Sequence, residues 1–162
     1  MEPLEPPRYA WIVPGRLAVA TRPGGAGRSH RRAVRAGELA WWRSKGIGAI
    51  VSGLSTRHCL TDYVDHDFVV RWHPLRDPEQ ARREMPDLVE EVRDLLDADP
   101  ARGVLVHCDM ANEWLAAVDA SLRLALGLAR TRRAALRAAA ADGLPVGSVA
   151  TSIVGRPMSA AA

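Results

Sequence analysis

The 162-residue sequence has only two cysteines, Cys59 and Cys108, too few for a disulfide framework or a four-cysteine zinc site. No apolar run approaches the roughly 20 residues that a bilayer demands. The first residues, Met1 to Pro7 (MEPLEPP), are acidic and proline-rich where a secretion signal would be basic and apolar, so a cytoplasmic location is expected. Lysine is nearly missing: Lys45 is the sole one among 22 basic residues, and an arginine- and alanine-rich composition of this kind looks bacterial. The formal charge is only +3 despite a pI of 9.4. The basic clusters Arg28 to Arg35 (RSHRRAVR) and Arg130 to Arg137 (RTRRAALR) lack the aromatics that stack on bases. They read as solvated helical faces, which argues against a nucleic-acid partner. What is there, 48% hydrophobic and 25% charged residues, is ordinary globular usage and excludes wholesale disorder and collagen-like repeats.

The patterning predicts a single domain over residues 9–156, with a disordered segment at 1–8 and a flexible tail at 157–162. Tyr9 to Ala20 reads as two strands around a Pro14-Gly15 turn. Ala33 to Lys45 predicts a helix stopped at Gly46, with Leu39 and Trp42 inward. Ile47 to Leu54 is a strand buried on both faces, and Phe68 to Leu75 a further strand stopped by Asp77-Pro78. Pro86 to Ala98 predicts a helix with proline at its first position. Gly103 to Val106 is a strand running into His107-Cys108, followed by a loop and a helix from about Trp114 to Ala129. One more helix follows over Thr131 to Ala141. Strands alternating with helices imply an α/β fold: a central, mostly parallel sheet flanked by helices, with its ligand site at the carboxyl ends of the strands.

A cysteine leading into a helix N-terminus meets unpaired N–H groups and the positive end of the helix dipole, both of which favour thiolate and can cradle an anion. The residues here, GVLVHC with PLRDP about thirty residues upstream, resemble the dual-specificity branch of the cysteine-dependent protein tyrosine phosphatases. VPGRLAVATRPG, LAWWRSKGIGAIVSGL and WHPLRDP extend that resemblance over most of the chain. It implies Cys108 as nucleophile, His107 as the residue tuning it, and Asp77 as the acid that protonates the leaving group.

The loop departs from the family pattern of His-Cys, two variable residues, Gly, two variable residues, Arg. It reads HCDMANEWLA: Ala111 replaces the glycine, Trp114 the arginine, Leu115 the hydroxyl residue and Ala116 the second glycine. A phosphate-clamping arginine contributes on the order of 10³ to 10⁵ in rate, and tryptophan offers neither its charge nor its fork. Asp109 and Glu113 add negative charge beside the anion site. Asp109, Met110, Ala111, Asn112, Glu113 and Trp114 are therefore expected to line a site for a small non-phosphate ligand, flat and apolar or cationic. The reading is a noncanonical phosphatase-fold enzyme, set in a bacterial biosynthetic pathway, that works through Cys108 with Asp77 as acid/base. The alternatives are a pseudophosphatase binding module without turnover, which could take a protein partner, and a slow phosphatase lacking the loop arginine. No metal or cofactor is expected. The simpler roles are Asp77 as a turn or cap residue, Glu113 as a helix cap, Cys59 as structural, and Trp41, Trp42 and Trp72 as packing.

Overall fold

In a computed structural model, residues 2–25 and 31–155 are described. The start of the first basic cluster and the expected 157–162 tail lie outside them. The strands are β1 (Tyr9–Val13), β2 (Leu17–Thr21), β3 (Ile47–Ser52), β4 (Val69–Trp72) and β5 (Gly103–Cys108). They form one sheet in the order β1-β2-β5-β3-β4, antiparallel only between β1 and β2. The helices are α1 (Arg32–Ser44), α2 (Leu60–Asp65), α3 (Pro78–Ala98), α4 (Glu113–Ala125), α5 (Arg132–Ala141) and α6 (Ser148–Ile153). The mostly parallel sheet between helical layers is the expected architecture. Residues 2–8 form neither helix nor strand; the Leu4 N–H donates to Gly37 O at 2.9 Å, and Pro6 is buried.

Side chains alternate across a strand, so each central strand feeds two cores. Leu17 and Val19 of β2, with Val104, Val106 and Cys108 of β5, face α3, α4, α5 and α6. Ala18, Ala20 and Leu105 face α1 and α2, where Trp42 and Tyr63 are fully buried. Trp42 docks α1 through tilted and edge-on rings, 5.4 Å from Tyr9 and 5.6 Å from Trp11 between centroids.

The helix expected from Pro86 begins eight residues earlier, at Pro78, with Asp77 as its N-cap and Pro86 inside it. The proline that looked like a strand terminator is the first helical residue, where a missing N–H is harmless. The apolar stripe supports the extension, since Ala81 and Met85 continue the buried row of Leu88, Val92 and Leu95. The α4 helix ends at Ala125, short of the expected Ala129. Gly127 (φ 72) lets its own N–H reach Leu124 O and the Leu128 N–H reach Arg123 O, closing the last turn. The short α2 was not expected at all; it starts after Cys59, held at a left-handed φ of 69.

Candidate functional site

All six residues of β5 are buried, and β5 delivers Cys108 to the carboxyl edge of the sheet. Three of the parallel strands, β5, β3 and β4, are laced together there by backbone bonds beyond their ends. Gly53 N–H donates to His107 O (2.8 Å), His73 N–H to Ser52 O (2.9 Å) and Leu75 N–H to Gly53 O (3.2 Å). Gly53 is the tight point. A Cβ there would lie 3.1 Å from His107 O, 3.3 Å from Cys108 Sγ and 3.4 Å from Leu75 Cδ1, so the thiol and Leu75 close over one glycine. Cys108 is only 2% exposed. Burial, and then the adjacent Asp109 carboxylate, push its thiol up to about 12. The expected pull of the α4 N-terminus toward thiolate is outweighed, because a desolvated anion loses more than one helix end returns.

One residue earlier, strand parity turns His107 to the other face. It is completely buried with Nε2 3.1 Å from the Tyr63 hydroxyl, and Nδ1 lies 3.4 Å from Cys108 O. A carbonyl oxygen only accepts, so Nδ1 holds the proton and Nε2 accepts from Tyr63. Burial pulls His107 down to about 4 and raises Tyr63 above the usual phenol range, leaving both neutral.

The loop's carboxylates are engaged within the protein. Arg22, 7% exposed just past the end of β2, places Nη1 3.4 Å from Asp109 Oδ1. Glu113 Oε1 accepts from the Ala150 N–H at 3.2 Å, in the first turn of α6, and lies 2.5 Å from where a Cβ on Gly147 would sit. Asn112 is the N-cap of α4, accepting from the Leu115 N–H at 3.3 Å. Met110 is 53% exposed at the loop's tip, and Trp114 in the first turn of α4 is half-buried against the larger core. Ala111 and Leu115 line a cavity of about 220 Å³ with Val19 and Leu144. Asp77 is exposed and its carboxylate accepts from the Gln80 N–H at 3.0 Å, a capping bond.

No described side chain stands in for the missing guanidinium from further along α4. Arg123 bridges Asp119 and Asp142, at 2.7 Å to each. The other candidates have local partners too: His73 lies 2.9 Å from Glu84, His66 2.7 Å from Asp62 O, and Trp72 Nε1 donates to Leu54 O at 2.8 Å. Among the described residues no group of three His, Cys, Asp or Glu side chains is gathered to hold a metal. Sequence reasoning missed Arg22, Gly53, Tyr63 and Leu75. Arg22, Gly53 and Leu75 lie inside the motifs VPGRLAVATRPG, LAWWRSKGIGAIVSGL and WHPLRDP, while Tyr63 reaches His107 from α2, a helix the patterning did not announce.

No family model and no curated protein matches the sequence. Solved structures do. Tk-PTP in its active form superposes with a TM-score of 0.68 at 15% identity, covering 91% of this chain and 94% of its own. Human DUSP28 follows at 0.67 and 13%, covering 92% of each. The kinase associated phosphatase, solved with its catalytic cysteine replaced by serine, gives 0.59 at 19% and covers 93% of both. The chain has the protein tyrosine phosphatase fold. On this phosphatase fold the β5–α4 loop occupies the place that the sequence resemblance gives the phosphate loop, with a half-buried indole in the first turn of α4 in place of a guanidinium.

Proposed function

We propose that this phosphatase-fold protein is a binding module without turnover, in which the loop Asp109 to Trp114 presents an apolar surface to a ligand or a protein partner. The observation that carries this reading is the state of Cys108: 2% exposed, packed in the larger core with Gly53 close against it, and with its thiol raised to about 12. Three further features support it. Asp109 is paired with Arg22 and Glu113 accepts from α6, which orients both carboxylates toward protein groups. Asp77 is spent on a helix cap. What the loop offers outward is Met110. The free thiols of Cys59 and Cys108 fit a reducing, cytoplasmic setting, and no described helix is long and apolar enough to cross a membrane.

A second reading keeps an enzyme acting on a small non-phosphate substrate, with Cys108 as nucleophile, Asp77 as acid/base and His107 tuning the thiol. The backbone lacing of β5, β3 and β4 favours it, because it sets the segment leading to Asp77 beside the end of β5. Aryl-phosphate and aryl-ester hydrolysis by the wild type, Cys108→Ser and Trp114→Arg proteins separates these readings. Wild-type rates equal to those of Cys108→Ser fit the module; a wild-type ester rate lost in Cys108→Ser overturns it. Aryl-phosphate turnover that is lost in Cys108→Ser and rises in Trp114→Arg would identify a slow phosphatase.

A further inference from the structure

The cluster Arg130 to Arg137 is more than a solvated face. Arg132, Leu136 and Ala140 follow one another at i, i+4 and i+8 along α5, and Arg133 and Arg137 form the row beside them. With Val146 and Thr151 these residues line a surface groove of about 540 Å³ between α5 and α6, its floor made by Leu136, Ala140 and Val146. Ala135 and Ala139 are fully buried and flank the Arg132–Leu136 row on its inner side, which turns Arg133 and Arg137 to solvent.

The charges around this groove are arranged against the stability of the helix itself. Arg132 and Arg133 occupy the first turn of α5, which holds no acidic residue, so two cations stand at the positive end of the dipole. Arg133 and Arg137 are like charges one turn apart, a repulsive spacing. Arg132 Nε is buried with no hydrogen-bond partner. Among the described residues no carboxylate forms an ion pair with Arg132, Arg133 or Arg137. An occupant bearing acidic groups around an apolar side chain would relieve all three penalties and cover the floor.

We infer that the α5–α6 groove is a docking surface for a partner protein segment in which acidic residues flank apolar ones at helical spacing. This does not depend on the loop reading, although Glu113 joins α6 to the loop. The probe is a fluorescein-labelled peptide with glutamates and leucines at that spacing, followed by anisotropy against the full-length protein. Controls are a peptide with serine for leucine and vesicles of phosphatidylcholine and phosphatidylserine. Binding is expected to weaken by about tenfold or more with Arg133→Glu plus Arg137→Glu, and to fall as salt is raised. Arg133→Glu alone should weaken binding while raising the Tm, because it places an acid in the first turn and opposite Arg137; a merely structural arginine would not show that opposition. Absence of peptide binding, binding indifferent to the charge reversals, equal binding of the serine peptide, or binding to the vesicles without binding to the peptide would each overturn the inference.

Discussion

Alkylation of Cys108 is the measurement with the widest predicted range. Its shift from the ordinary 9.0 to about 12 removes about three decades of thiolate at any pH below 9. The thiolate is the species that reacts, so native Cys108 should react with iodoacetamide on the order of 10³ times more slowly than Cys108 in the guanidinium-unfolded chain, before any steric shielding is added. The rate should climb with pH through 10 without a plateau. Leu75→Ala is the informative perturbation, because it opens the one side chain that shares Gly53 with the thiol. It should recover a large part of those decades, while Asp109→Asn, which removes the lesser cause, should recover less. Peptide mapping by mass spectrometry follows Cys108 and Cys59 in one sample. Cys59 is only half-buried and left-handed at the start of α2, so it is the faster thiol. A Cys108 rate that levels off below pH 8.5, or that matches the unfolded chain, would refute the reasoning that burial dominates the helix end.

Two buried groups give stability opposite slopes with pH. His107 falls from 6.5 unfolded to about 4 folded, so the unfolded chain binds more protons between those values and stability rises with pH there, by on the order of 3 kcal/mol in all. Asp119 is raised by burial, and then by Asp142, to about 7, so the native state holds its proton longer and stability falls as pH rises from about 4 to 7. Urea melts of Asp119→Asn should show the rise alone and those of His107→Asn the fall alone; unchanged profiles would contradict both assignments. Tyr63→Phe orphans His107 Nε2 and should cost about 1–3 kcal/mol in the same melts. Asp77→Ala should cost about 1 kcal/mol through the lost cap and Asp77→Asn almost nothing, with ligand binding unchanged in both; loss of function in the asparagine variant would restore the acid/base role.

The parallel sheet was legible in the sequence because IGAIVSGL and GVLVHC are short, β-branched apolar runs with flanking glycine, too short for a buried helix and suited to strands buried on both faces. The β1–β2 hairpin was legible from its Pro14-Gly15 turn. The strand-to-helix junction after Cys108, where the resemblance puts the site, was legible too. Its electrostatics were not. Local rules place a helix dipole beside the thiol, while the burial that decides its ionisation comes from the packing of the larger core around it and the close approach of Gly53, far away in the chain. The same limit hid the start of α3. Pro78 follows Asp77, which caps the helix, and the packing of Ala81 and Met85 confirms that start, whereas the stripe from Leu88 drew attention to Pro86.

The bond from Glu113 to α6 bears on how such a loop could change over time. A Cβ on Gly147 would meet the end of the Glu113 side chain, which would have to turn aside from α6, and Arg22 lies against Asp109 on the other flank. Installing an arginine at position 114 would leave both carboxylates in place and would uncover the core that the indole now seals. A change at position 114 alone therefore loses packing and sets the new cation between two carboxylates, so the character of the loop is tied to its contacts with α6 and the end of β2 as well as to that one residue.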